Sequence, residues 1–150
     1  MLRCAVPIDH FEHSWSVAAL LGDVVAHLVD PFSYVGLSPL VVAVRDVHAE
    51  ADQASYVAVE RFRFGPLRWD NHIQVRMNWS TPPDRIVSLV ISPGGVRLKS
   101  VVELLPDGGG TAVRETIEIN SPALLRKFVL GKATAVQQQR AAELTRRMGG

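Results

Sequence analysis

The chain has 150 residues, 16 basic against 15 acidic side chains and a formal net charge of +1. That length suits one domain over residues 1–150, and 47% hydrophobic with 21% charged residues excludes a disordered chain. The near-neutral balance argues against nucleic acid as a partner, which needs a basic surface to displace counterions, and a single cysteine, Cys4, rules out an internal disulfide or a cysteine-built zinc site.

In chain order, Met1 to Pro7 carries one base and no long apolar core, so a signal peptide is not expected there, and residues 1–9 are expected to form a loose N-terminus. His10 to Val17 alternates, with Phe11, His13, Trp15 and Val17 on one face of a strand. Ala18 to Leu28 has helical spacing through Leu20, Leu21, Val24, Val25 and Leu28, and Pro31 ends it. Phe32 to Leu37 reads as a second short helix, and Phe32 to Pro39, being Pro- and Gly-punctuated, as a candidate gate.

Strands follow at Leu40 to His48, Ala54 to Phe64, Asn71 to Trp79, Arg85 to Ile91, Val96 to Leu105 and Thr111 to Ile119. The turns between them include Gly65-Pro66, Thr81-Pro82-Pro83-Asp84, Ser92-Pro93-Gly94-Gly95 and Asp107-Gly108-Gly109-Gly110. Trp69 falls in or just after a turn, placed to guard an opening, to touch a membrane interface or to cap the core. Asn120-Ser121-Pro122 supplies a capping residue and a first-turn proline for a long helix to Met148, with Leu125, Phe128, Val129, Val136 and Leu144 as its inward stripe. The fold class is α+β: two short helices after the first strand, an antiparallel sheet, and a long C-terminal helix.

This order of elements, the Gly-rich turn Pro106 to Thr111 and the closing helix resemble the START/polyketide-cyclase (SRPBCC) superfamily over about residues 10–148. The resemblance implies a helix-grip fold, in which a strongly bent antiparallel sheet wraps around the C-terminal helix and encloses an apolar cavity. It further implies binding of lipids, polyketides, quinones or similar ligands, with cyclisation or dehydration in a minority of members. No invariant catalytic residue comes with it, so none is carried over.

Alternation independently selects the inward faces Tyr56, Ala58, Glu60, Phe62 and Phe64; Ile73, Val75, Met77 and Trp79; Val96, Leu98, Ser100, Val102 and Leu104; and Val113, Glu115, Ile117 and Ile119. Candidate ligand-binding residues are His13, Tyr56, Glu60, Phe62, Met77, Trp79, Ser100, Glu115 and Phe128. Three are polar residues in apolar registers: Glu60, Glu115 and His13. A buried carboxylate must be paired, hydrogen-bonded or protonated. In a cavity such a Glu orients a ligand hydroxyl or acts as a general acid with His13 as partner. The plainer readings are a Glu–Arg pair at the sheet edge, with Arg61, Arg63, Arg68 or Arg114, and a core histidine bonded to backbone.

Metal binding is not expected, because His10 and His13 point to opposite faces of a strand, and nothing calls for a cofactor. The charge is uneven: residues 1–53 hold two bases against seven acids, and residues 121–150 hold six bases against one acid. The two ends could attract one another or steer a partner, or the basic end could be a solvated helix face matching its dipole. Apolar runs are far short of the roughly 20 residues that span a bilayer, so stable membrane insertion is not expected and a cytoplasmic location is. Residues 85–91 load both faces, which leaves a homodimer open.

Three functions follow from this pattern: a carrier for a hydrophobic small molecule, a cyclase, aromatase or dehydratase using cavity acid–base residues, and an interaction protein with a filled core.

Overall fold

The computed structural model describes residues 8–80 and 84–149. Cys4 and residues 81–83 of the Thr81 to Asp84 turn lie outside the described residues, as do residues 1–7 of the expected loose N-terminus; Ile8 and Asp9 belong to the first strand.

Seven strands form one antiparallel sheet: β1 Ile8–Val17, β2 Val41–Ala49, β3 Gln53–Phe64, β4 Leu67–Trp79, β5 Arg85–Ser92, β6 Val96–Asp107 and β7 Gly110–Asn120. Their spatial order is β1-β7-β6-β5-β4-β3-β2, so β2 to β7 form a meander and β1 closes on β7. The helices are α1 Leu21–Leu28, the short α2 Tyr34–Leu37 and the long α3 Arg126–Arg147. The sheet curves around α3, because residues of all seven strands face one common space with the helix.

Glycines make the tightest corners. Gly65, at φ +59°, reverses β3 into β4 in two residues, so β4 starts at Leu67 and Trp69 lies in that strand just after the turn. Gly110 begins β7 where the backbone of Val17 passes, and any Cβ there would run into the Val17 carbonyl. Beside it the buried Thr111 hydroxyl donates to the Ala19 carbonyl at 2.9 Å, tying β7 to the end of β1.

Two helical readings need correction. The first helix begins at Leu21 and not Ala18: its N-cap, Leu20, is in extended backbone and makes no side-chain capping bond. The second short helix expected at Phe32 to Leu37 is present as a 3₁₀ turn at Pro31–Ser33, capped by Asp30 on the Phe32 amide at 3.0 Å, running into the kinked α2. Val35 and Gly36 leave the helical region there, with Gly36 at φ +80°. At the C-terminal helix no capping bond forms: Asn120 ends β7, the Ser121 hydroxyl is buried without a partner, and a 3₁₀ turn at Ala123–Leu125 leads into α3.

The two-faced strand β5 resolves by register. Ile86 is buried and Ser88 and Val90 face the interior, whereas Leu89 and Ile91 are exposed on the outer surface. Among the described residues, no helix is long and apolar enough to cross a membrane.

Candidate functional site

Between the concave sheet and α3 lies a cavity of about 410 Å³. Its walls are mostly apolar: Ala58, Phe62, Ile73, Val75, Val90, Leu98, Val102 and Ile117 from the sheet, Leu125 from the turn before α3, and Phe128, Val129, Ala133, Val136 and Leu144 from the helix. The helical residues recur at three- and four-residue spacing, which puts them on one face. Two cations, Lys132 and Arg140, belong to that same face. A second hollow of about 480 Å³, bordered by Asp84, Arg85, Glu103 and Arg114, reaches none of Glu60, Glu115 and Arg140.

The polar floor is built around Glu115 on β7. Nη2 of Arg140 donates to its two carboxylate oxygens at 2.6 and 2.8 Å, and the Ser100 hydroxyl donates to one of them at 2.7 Å. Gln137, one turn before Arg140, donates to the Glu115 backbone carbonyl at 3.3 Å. Arg140 also reaches the Ser38 hydroxyl at 3.4 Å. Desolvation pulls the Arg140 pKa down, but the charge and hydrogen bonds of Glu115 outweigh it and the guanidinium stays firmly protonated.

Two phenols complete the floor. Tyr34 and Tyr56 lie with ring centroids 6.2 Å apart, and the Tyr34 hydroxyl donates to the Leu28 carbonyl at 2.7 Å. Burial pushes the Tyr34 pKa up to about 12 and that of Tyr56 up as well, so both are neutral donors at physiological pH.

Glu60 on β3 forms a separate polar point on the cavity wall. Burial raises its pKa, and a hydrogen bond from its cross-strand partner Asn71 offsets part of that rise. Asn71 also donates to the Ser92 hydroxyl at 3.0 Å, so the three strands β3, β4 and β5 contribute one polar side chain each. No cation pairs with Glu60 among the described residues. On β1, the Trp15 indole N–H is buried without a partner, and its ring borders the cavity.

Of the candidates from sequence, Tyr56, Glu60, Phe62, Ser100, Glu115 and Phe128 line the cavity together. His13, Met77 and Trp79 do not. His13 stacks on Trp15 at 5.2 Å but stays off the cavity wall, Met77 is fully buried with its sulfur 4.0 Å from the Tyr34 hydroxyl, and Trp79 packs at the edge of the core. Sheet-edge pairing of the carboxylates does not occur: Arg61 pairs with Asp70, Arg114 with Glu12, and Glu115 with a helix residue. The two charged ends of the chain do meet, through Arg126 and Asp9 at 2.7 Å.

Arg140, Tyr34 and Ser38 are the floor residues that the sequence reading missed. The signal for Arg140 was present: it lies four residues after Val136 and four before Leu144, on the apolar stripe.

No protein-family model matches the sequence, and no curated protein does. Solved structures do. The aromatase/cyclase ZhuI of Streptomyces sp. R1128 matches at TM-score 0.72 and 16% identity over 94% of this chain and 96% of its own. The di-domain aromatase/cyclase BexL, from the BE-7585A biosynthetic pathway, matches at TM-score 0.77 and 12% identity over 95% of this chain and 50% of its own. A norcoclaurine synthase of Thalictrum flavum matches at TM-score 0.69 and 13% identity, over 97% of each chain. At such identities the likeness is one of fold, and the fold that this chain shares with these proteins is the helix-grip fold.

Proposed function

We propose that the protein holds a hydrophobic small molecule in this cavity, with a neutral oxygen function of the ligand at the polar floor. The observation that carries this reading is the paired Arg140–Glu115 cluster, with Glu115 buried, at the base of a mostly apolar space of about 410 Å³. That volume lies within the roughly 300–1,000 Å³ of small-molecule pockets. Affinity comes from apolar burial, at about 25 cal/mol per Å² before the costs of binding.

The floor also sets a preference. Glu115 already neutralises Arg140, so a ligand carboxylate there would add an uncompensated charge in a poorly solvated place. A hydroxyl or carbonyl oxygen instead accepts from Tyr56 or the Trp15 indole N–H at no electrostatic cost. The ligand class is thus a lipid, polyketide or isoprenoid with a ketone or alcohol at its buried end.

The test is competition for a bound uncharged hydrophobic fluorophore such as Nile red. Ligand pairs that differ only in their end group, a long-chain alcohol against the matching fatty acid, should separate by about tenfold or more in favour of the alcohol. Equal affinities would remove the floor from the site.

A second reading, a cyclase or dehydratase, is favoured by one observation. Glu60, whose pKa burial raises, and Glu115, ion-paired with Arg140, face the same cavity. Two carboxyl groups set in different environments are the usual division between acid and base. In this reading Glu60 donates a proton to a substrate carbonyl or departing hydroxyl. Glu60→Gln would then abolish turnover of a polyketide-like chain while leaving its binding intact.

A further inference from the structure

We propose that the mouth of the cavity docks on the surface of an anionic lipid bilayer. The mouth is framed by the tip of the β3–β4 hairpin and the start of α3, which Phe128 brings together through ring contacts with Phe62 at 6.2 Å and Phe64 at 6.3 Å. Both lips carry apolar side chains turned to solvent: Leu67 is 70% and Trp69 53% exposed on the hairpin, and Leu124 is wholly exposed beside the helix start. Trp69 and Phe128 belong to the cavity wall as well, so this patch is continuous with the interior. Exposed apolar surface of this extent at an opening marks an interaction site.

The charge of the same two segments has one sign. Residues 62–69 contain Arg63 and Arg68 and no acid, and residues 121–142 contain Arg126, Lys127, Lys132 and Arg140 and no acid. Arg126 and Arg140 are paired elsewhere, with Asp9 and Glu115. Arg63 and Arg68 face one another across the hairpin, Lys127 precedes Phe128, and Lys132 places its ammonium 5.8 Å from the Phe128 ring. Protruding apolar side chains and an indole, bordered by cations, suit the boundary between acyl chains and anionic headgroups.

A bilayer suits this patch better than a protein does. Leu67 and Leu124 protrude singly from two lips around an opening, and hydrocarbon accepts such side chains without a shaped partner surface. Docked in this way, the opening meets the lipid phase, and a hydrophobic ligand enters without crossing water. The proposal does not depend on which ligand the floor prefers.

The experiment is flotation of the full chain with vesicles of phosphatidylcholine alone and of phosphatidylcholine mixed with phosphatidylglycerol. Binding is expected only to the anionic vesicles, with a blue shift of tryptophan emission that Trp69→Phe removes, and it should weaken as salt is added. Arg68→Gln with Lys127→Gln should reduce vesicle affinity by about tenfold or more. Leu67→Gln with Leu124→Gln, at exposed positions, should do the same while Nile red binding in the cavity stays unchanged. That control separates failure of docking from failure of ligand binding. No binding to anionic vesicles, or binding unaffected by both double variants, overturns the proposal. Retention on an acidic polypeptide with no vesicle binding also overturns it and assigns the mouth to a protein partner.

Discussion

Arg140 of α3 and Glu115 of β7 meet at 2.6 and 2.8 Å across the interior, and this contact fastens the helix to the sheet at the base of the cavity. The Glu115 side chain is only 5% exposed, so removing its partner strands a charge. Arg140→Met should cost about 3–5 kcal/mol. Adding Glu115→Leu to Arg140→Met should recover most of that loss, since a well-packed apolar pair often equals a buried ion pair. Urea denaturation of the two variants checks this; a double variant as weak as the single one would show that the pair is not the dominant fastening.

The C-terminal end of α3 makes a second attachment, and that one responds to pH. Arg147 donates to the Ser33 carbonyl at 2.7 Å and the Val35 carbonyl at 3.2 Å, and its Nη1 lies 3.3 Å from Nε2 of His27. Because arginine only donates, His27 must be neutral and accept at Nε2, which leaves Nδ1–H to donate to the Ser33 hydroxyl at 3.4 Å. Desolvation and then the Arg147 charge lower the His27 pKa, while Asp30 opposes them; Glu143 is bound to Arg147 from its own helix. With its folded pKa below the ordinary 6.5, His27 contributes stability that is full above that value and is lost as pH falls through the folded pKa. The urea midpoint should therefore drop on acidification below about pH 6.5, and His27→Gln should flatten that drop. The segment read from sequence as a gate is the one this latch holds.

Filling the cavity should separate binding from folding. Ala133 sits on the inner face of α3 and borders the space. Ala133→Phe should weaken binding of apolar ligands by about tenfold or more. Stability should change by less than the 1–3 kcal/mol typical of overpacking, because the new ring enters open volume. A large stability loss with binding retained would place the ligand elsewhere.

Gly110 is held by a close backbone approach rather than by its φ. A Cβ at this position meets the Val17 carbonyl, so Gly110→Ala must push β1 and β7 apart at their junction. A loss of about 2 kcal/mol or more is expected in thermal or urea unfolding. Ala112, two residues on, serves as the comparison position.

The strands were legible because period-two alternation is a local signal: Tyr56, Ala58, Glu60 and Phe62 were read inward and line the cavity. Helix ends were less so, since Leu20 and Leu125 start helices without any capping side chain to announce them. The Glu115 partner was hidden because pairing was sought among arginines near in sequence. Its true partner lies 25 residues away, on a helix whose basic residues read equally well as a solvated face. His13 shows the opposite failure: it shares a strand face with Trp15, yet only Trp15 reaches the cavity.

The most direct measurement is native against denaturing mass spectrometry of the purified protein, first as isolated and then after incubation with long-chain alcohols and aromatic polyketides. If the cavity holds a hydrophobic ligand, a mass excess appears in the native spectrum, vanishes on denaturation, and is absent from Ala133→Phe. No excess under any of these conditions, with the protein folded, would contradict ligand binding and leave the interior as a packing space alone.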